Sequence, residues 1–140
     1  MILEIIVVLI VILLSMTIHE AMHAFMGYAL GDNTAKEEGR LTLNPIRHID
    51  PVMTILLPLI MVVLRAPVFG GAKPVPFNPN RVRFGDWGAA LVALSGPITN
   101  LVIAFIVFGV GVFSGVINSA GAVQSTIFGL IISTAVSVNL

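Results

Sequence analysis

The sequence contains no cysteine, which excludes disulfide bonds, thiolate metal sites and a cysteine nucleophile. Charge is also scarce: 10% of the 140 residues are charged, whereas soluble domains carry about 25%. The formal net charge is zero, so no basic excess exists to attract a nucleic acid, and we expect no such partner. With 57% hydrophobic residues, the chain is predicted to form one domain in a lipid bilayer.

The N-terminal apolar segment, residues 2–30, lacks the positively charged start that is typical of a signal peptide. Glu4 stands where Lys or Arg would be expected, and the apolar run is longer than a typical signal-peptide core. A membrane-spanning helix needs roughly 20 predominantly apolar residues. We therefore expect this segment to be a retained first span.

Two further segments, 87–113 and 122–140, are also long and apolar enough to cross a bilayer. Asp86 is a candidate N-cap for the first of them, and Trp87 is a candidate interfacial anchor. The three segments predict an all-α polytopic membrane protein with about three spanning helices. The expected organisation is a single membrane-embedded domain over residues 1–140.

The apolar run at 51–64 is too short for an ordinary span and contains Pro58, so it is interpreted as re-entrant, with a short span as the alternative. All Lys and Arg residues lie between the first span and Trp87, and they share one side of the membrane only if this run does not cross. The positive-inside rule therefore favours a re-entrant segment, with residues 31–86 cytoplasmic in a multi-pass protein of the cell membrane. The seven basic residues are Lys36, Arg40, Arg47, Arg65, Lys73, Arg81 and Arg83.

The stretch T17-I-H-E-A-M-H-A24 places ionisable side chains inside the first apolar segment. His19 and His23 are four residues apart, so on a helix they share one face at the spacing with which two imidazoles bind one Zn²⁺. Glu20 lies beside them and can reach a metal-bound water as a general base, as in an HExxH motif. Ionisable residues inside a span are costly and usually indicate function. The alternative is that they only form hydrogen bonds to neighbouring helices, or that this end of the helix lies in the headgroup region of the membrane.

Four motifs in order resemble the site-2 protease family of intramembrane zinc metalloproteases, in its compact prokaryotic subgroup without a PDZ domain. They are H19-E-A-M-H23, R40-L-T-L-N-P-I-R-H-I-D-P51, G71-A-K-P-V-P-F-N-P79 and A93-L-S-G-P-I-T-N100. The resemblance covers nearly the whole chain. It implies a protease that cleaves transmembrane segments of membrane protein substrates with the help of Zn²⁺.

The resemblance also implies roles for single residues. His19 and His23 would bind zinc, and Glu20 would be the catalytic base. Asn100 would be a second catalytic residue, holding the substrate or the oxyanion; a simple interhelical hydrogen bond is the alternative. Gly96 and Pro97 are interpreted as packing and kink residues.

The third zinc ligand that the resemblance implies, an aspartate in an LDG motif, is absent from the sequence. Because catalytic zinc sites generally have three protein ligands, the chain is interpreted as truncated before this motif, with the C-terminal part of the family core missing. Asp50 and His48 are candidate replacements, and Asp86 is a weaker one. The alternative function is a catalytically inactive membrane scaffold or pseudoprotease. A metal transporter is disfavoured because the ligand-type residues concentrate on one helix.

Two stretches are predicted to be short cytoplasmic β-strands near the active site, R40-L-T-L43 and K73-P-V-P-F77. The first alternates in polarity, and prolines bar a helix in the second. An unwound substrate could add to them as a further strand; ordinary loops are the alternative. G111-V-F-S-G115 fits a small-xxx-small packing face, either within the chain or between copies in a homo-oligomer.

Overall fold

The computed structural model describes residues 2–66, 72–118, 121–124 and 126–140. The remaining residues, 1, 67–71, 119–120 and 125, belong to the expected domain but lie outside this part; among them are Gly71 of the third motif and Ser125 of the third predicted span.

Three helices form the body of the protein, and each packs against the other two. They are α1 (Ile2–Ala29), α4 (Gly85–Phe113) and α5 (Ile127–Asn139). Between α1 and α4 lie α2 (Thr34–Glu37), a π-helical turn (Pro51–Leu56) that continues into α3 (Leu57–Val63), and two 3₁₀ turns (Pro45–Arg47 and Pro79–Arg81).

Small residues line the contact between α1 and α4. Ala21 and Ala24 of α1 are 0% and 1% exposed, and Ser95 and Gly96 of α4 are also buried. Without large side chains between them, two helix backbones can approach closely, which is how apolar helices gain packing energy in lipid. This close approach brings α4 over the face of α1 that carries the histidines.

Helices α1 and α4 are long and apolar enough to cross a membrane. Only 22% of the most apolar 18-residue stretch of each is buried inside the protein, which is less than is typical of the core helix of a soluble protein. Large apolar side chains cover the outer faces of both helices, which supports membrane association. Those on α1 include Ile2, Leu3, Ile6, Ile10 and Leu14, and those on α4 include Leu91, Leu94, Ile98, Phe105 and Ile106.

The predicted N-cap of α4 is wrong. Phe84 occupies that position with a left-handed backbone (φ 68°), and it makes no side-chain capping bond. Asp86 lies instead in the first turn, where a carboxylate interacts favourably with the helix dipole. Trp87 is 81% exposed, as an interfacial anchor would be in the absence of lipid.

The number of membrane crossings stays a prediction, although α1 and α4 have the length and composition to cross. Asp50 caps the segment Pro51–Val63 by accepting hydrogen bonds from the backbone of Val52 and Met53, both at 2.9 Å. At 1.5 Å per residue such a segment extends about 20 Å, which is less than the roughly 30 Å of a bilayer core. Helix α5 is equally short, because Thr126 caps it and thereby sets its start within the predicted span 122–140.

The two predicted β-strands are wrong. Residues 40–43 and 73–77 form no strand, and the described residues hold only an isolated bridge between Ile117 and Val123. Pro74 and Pro76 lack the N–H groups that a β-ladder needs. The backbone carbonyls of Lys73 and Pro74 instead accept hydrogen bonds from the guanidinium of Arg40.

The predicted small-xxx-small motif, residues 111–115, packs within the chain at one of its two glycines, and Gly115 lies beyond the end of α4. A Cβ at Gly111 would meet side-chain atoms of Ile117 at 2.7 Å and of Ile132 at 3.0 Å. A Cβ at Gly115, by contrast, would have no neighbouring atom within 4 Å, and this residue has a positive φ of 72°. Gly111 therefore serves the contact between α4 and α5, while a homo-oligomer stays a prediction.

Candidate metal centre

The two histidines of the first span lie against each other on one face of α1. Their ring centroids are 4.7 Å apart with an edge-to-face angle of 79°, and the Nε2 atoms of His19 and His23 are separated by 3.0 Å. The i, i+4 spacing on a regular helix produces this arrangement without help from the loops. The predicted pairing of the two histidines is therefore present in the structure.

The contact of His23 with α4 identifies its tautomer. Its Nδ1 lies 2.7 Å from the backbone oxygen of Val92, and a carbonyl oxygen can only accept. Nδ1 must therefore carry the proton, which leaves the lone pair of a neutral ring on Nε2. A hydrogen bond of this kind from the far ring nitrogen is the usual support of a metal-binding histidine.

Glu20 completes the only group of three possible metal-ligand residues in the described ranges. One donor atom each from His19, Glu20 and His23 lies within 4.8 Å of the others, and all three residues are partly buried. The Oε2 atom of Glu20 accepts a hydrogen bond of 2.9 Å from the backbone N–H of Val75. The protein thus holds one carboxylate oxygen of Glu20 in place.

The group fits a zinc ion by its chemistry. Zinc bonds to imidazole nitrogens at 2.0–2.1 Å, and two nitrogens 3.0 Å apart can both reach one ion at that length. The tautomer of His23 already directs a lone pair from Nε2. The two histidines are therefore the ligands that the structure offers, with Glu20 beside them.

Asn100 reaches the centre from α4. Its amide faces the ring of His19, and its Oδ1 atom is buried without a hydrogen-bond partner of normal geometry. An unpaired buried amide oxygen is unfavourable by about 1–3 kcal/mol, so such groups usually meet a ligand or water. The structure thus places the predicted Asn100 next to the candidate metal position.

The candidate replacements for a third ligand lie elsewhere. Asp50 is occupied as the cap of the π-helical turn, and His48 directs Nε2 at the backbone oxygen of Thr42, 2.8 Å away. Asp86 is at the exposed start of α4. None of the three belongs to the group formed by the described His19, Glu20 and His23.

The extended segment 72–78, here called the strap, runs past the centre and brings Val75 to Glu20. At its start the N–H of Lys73 donates to the backbone oxygen of His48 at 3.0 Å. The guanidinium of Arg40, only 6% exposed, donates to the carbonyls of Lys73, Pro74 and Arg47. A buried cation that binds three carbonyls fixes the backbone of the strap firmly.

Asp32 holds the other end of the strap. It is 2% exposed and accepts hydrogen bonds from the backbone of Asn78 at 2.8 Å and from both the N–H and the hydroxyl of Thr34. Burial opposes ionisation of this carboxyl, but the hydrogen bonds from Asn78 and Thr34 outweigh it and hold the pKa of Asp32 below its ordinary value of 3.8. Asp32 is therefore an ionised anchor at neutral pH.

The sequence alone does not predict several of these contacts. Val92 and Val75 act through their backbones, which no residue type reveals, and Arg40 and Asp32 find partners more than thirty residues away. The sequence indicates a packing role for Gly96, yet a Cβ there would meet Nε2 of both histidines. The alternating prolines of the strap are the one available signal, since they predict an extended backbone.

Comparison with known proteins gives a consistent result. The chain is 43% identical over 99 residues to "Putative zinc metalloprotease YwhC" of Bacillus subtilis. The matched region covers 71% of this chain and 42% of that protein. It is 34% identical over 98 residues to "Putative zinc metalloprotease Rip2" of Mycolicibacterium smegmatis, covering 69% of the chain and 36% of the relative. "Putative zinc metalloprotease Rip2" of Mycobacterium tuberculosis is 31% identical over 99 residues, and the match covers 67% of the chain and 35% of the relative.

The chain thus spans about two fifths of the length of the curated relatives it matches. No family model matches the chain. No solved structure matches it.

Proposed function

Because the chain belongs with these zinc metalloproteases, in agreement with its resemblance to the site-2 protease family, we propose that it hydrolyses transmembrane segments of other membrane proteins. The observation that carries the proposal is the group His19, Glu20 and His23 on an apolar helix. Ala29, the last residue of α1, comes ten positions after His19, a distance of about 15 Å along the helix. A centre at that depth lies below the membrane surface.

The strap supports access of water to that depth. It is irregular backbone, and irregular backbone within a membrane is tolerated only where it is buried in protein or lines a water-filled cavity. Val75 nevertheless reaches Glu20, which lies next to His19 on α1. We infer that the strap lines a polar path from the side of residues 31–86, which carries every Lys and Arg. By the positive-inside rule this side is cytoplasmic.

The residues of the centre have distinct roles in the proposed hydrolysis. When bound by His19 and His23, zinc supplies a Lewis acid that polarises the scissile carbonyl and lowers the pKa of water. Glu20, held at one oxygen by Val75, accepts the proton of the attacking water with the other and passes it to the leaving amine. Asn100 can donate from its amide nitrogen to the carbonyl oxygen of the substrate as charge develops there.

A second candidate function is a membrane scaffold that binds transmembrane partners without cutting them. The observation in its favour is that the described ligand group contains two histidines and one glutamate, whereas catalytic zinc generally has three protein ligands and a free position. The retained Glu20 argues against it, because a scaffold has no use for a base.

The deciding experiment compares the purified chain in detergent with Glu20→Gln and His23→Ala. We expect about one zinc per chain in the wild type and in Glu20→Gln, and a loss of zinc in His23→Ala. Cleavage of a fluorescent transmembrane peptide should fall on the order of 10²- to 10⁴-fold in Glu20→Gln, the usual contribution of a general base. Glu4→Gln, the same change near the other end of α1, is the matched control and should leave both readouts unchanged.

Two outcomes would contradict the proposal. If Glu20→Gln cleaved the peptide at the wild-type rate, Glu20 could not be the general base. A wild-type chain that binds the peptide and zinc but never cuts the peptide would favour the scaffold.

A further inference from the structure

Gly96 of α4 lies directly against the two nitrogens of the candidate metal centre. A Cβ built at this position would be 2.6 Å from Nε2 of His19 and closer still to Nε2 of His23, with Cε1 of His23 at 2.7 Å. Real Cβ atoms essentially never approach other heavy atoms within 3.0 Å. All three of the nearest atoms belong to the histidine rings, so the space beside Gly96 is bounded by the centre itself.

The space beside Gly96 matters because it borders the Nε2 atoms of both histidines. An ion 2.0–2.1 Å from each Nε2 must share the small volume around them, and a methyl group on residue 96 would fill part of that volume or push the rings away. Neither change leaves the two nitrogens free to converge on one ion. A hydrogen atom in place of a side chain therefore keeps this volume open.

The ring of His23 cannot easily turn out of the way. Its Nδ1 is bound to the backbone oxygen of Val92, which lies one turn before Gly96 on the same face of α4. Helix α4 thus both fixes the ring, through Val92, and leaves room for it, through Gly96. With a side chain at position 96, the ring of His23 could not keep both its hydrogen bond to Val92 and its place beside residue 96.

Local helix preference does not explain this glycine. Gly in a helix interior is less favourable than Ala by about 0.8–1.0 kcal/mol, and α4 continues on both sides of the position. Gly109 on the same helix has open space around its Cβ position. Gly96 and Gly109 therefore differ in the one property that concerns the centre.

We propose that Gly96 is a positioning residue of the metal centre, whose missing side chain keeps the volume between His19 and His23 open for the ion. The proposal rests on the proposed zinc chemistry and assigns Gly96 a role in metal binding rather than in helix packing. It predicts that the defect of a larger residue is seen first in zinc affinity.

The test measures zinc stoichiometry and affinity of the purified chain in detergent, by competition with a chelator. We expect Gly96→Ala to weaken zinc binding by on the order of 10- to 100-fold, as changes next to metal ligands do. Gly109→Ala is the matched control, since it makes the same substitution on the same helix in open space, and it should bind zinc as the wild type does. A folded Gly96→Ala chain with wild-type zinc affinity would overturn the proposal.

A second set of variants covers the case in which Gly96→Ala does not fold. The three atoms nearest to a Cβ at position 96 all belong to the two rings, so we expect the same substitution to be tolerated in a His19→Ala, His23→Ala background, as judged by helical circular dichroism and thermal unfolding. Failure of Gly96→Ala in both backgrounds would show a packing role and overturn the proposal. A different outcome would refute the proposed function on which the Gly96 proposal rests. In that outcome the wild-type chain binds no zinc and does not differ from His23→Ala in zinc content.

Discussion

Replacing Asp32 tests how strongly the strap is anchored. Asp32 is 2% exposed, and its carboxylate accepts one hydrogen bond from Asn78 of the strap and two from Thr34. Hydrogen bonds to charged groups contribute about 1.5–3 kcal/mol each. The two from Thr34 are local, and Thr34 is only half-buried, so water can replace much of their contribution. The bond to Asn78 joins distant segments and cannot be replaced as easily.

We therefore expect Asp32→Ala to lower the free energy of unfolding by about 2–4 kcal/mol, the loss of the Asn78 bond plus part of the other two. That is a large part of a typical stability of about 5–15 kcal/mol. The assay is thermal or denaturant unfolding in detergent, followed by circular dichroism. Glu38→Ala, which removes an exposed carboxylate just after α2, is the control and should change stability by no more than about 0.5 kcal/mol.

The pH dependence gives an independent check. Burial acts to raise the pKa of Asp32, but the hydrogen bonds from Asn78 and Thr34 outweigh it, so the folded pKa lies below 3.8. A lowered pKa contributes stability that is complete above the unfolded value and is lost as the pH falls through the folded value. The difference between wild type and Asp32→Ala should therefore be constant near neutral pH and shrink below about pH 3.8. Equal stability of Asp32→Ala and Glu38→Ala at pH 7 would refute the role of Asp32 as an anchor of the strap.

Two further predictions concern backbone and buried polar contacts. Val75→Pro removes the N–H that holds Glu20, so cleavage should fall about tenfold or more while zinc content stays unchanged. Val75→Ala keeps the N–H and should cleave normally, and equal activity of the two variants would show that the contact does not contribute to catalysis. Asn139→Leu should destabilise the chain by about 0.6–2 kcal/mol, because its amide donates to the buried hydroxyl of Ser15 at 2.8 Å. In a double-mutant cycle with Ser15→Ala the two losses should not add, whereas full additivity would show that the bond contributes nothing.

The length of apolar runs and the spacing of residues predicted the elements that depend on local sequence. Apolar length alone predicted α1 and α4 to within a few residues, and the i, i+4 spacing correctly paired His19 with His23. Both features are determined by residues close together in the chain. The start of α5 was misplaced because the capping hydroxyl of Thr126 sets it, and an apolar count is insensitive to one polar side chain.

The strands failed for a different reason. The alternation of R40-L-T-L43 is typical of a half-buried strand, but alternation carries no information about where a long side chain finds its partner. Arg40 turns inward and donates to carbonyls of the strap, thirty-three residues away, which uses the acceptors that a sheet would have needed. A pattern of period two therefore described the polarity of this stretch correctly and its hydrogen bonding incorrectly.

The same distinction explains which parts of the candidate centre were found. Histidine and glutamate are recognisable by residue type, so the ligand group could be predicted from eight consecutive residues. The groups that orient it are two backbone atoms and a missing side chain: the oxygen of Val92, the N–H of Val75 and the hydrogen of Gly96. Every residue type offers a carbonyl, and almost every type an N–H, so only the packing of α4 and the strap against α1 gives these atoms a role. It follows that substitutions on α4 and the strap that preserve every ionisable side chain can still abolish metal binding or cleavage.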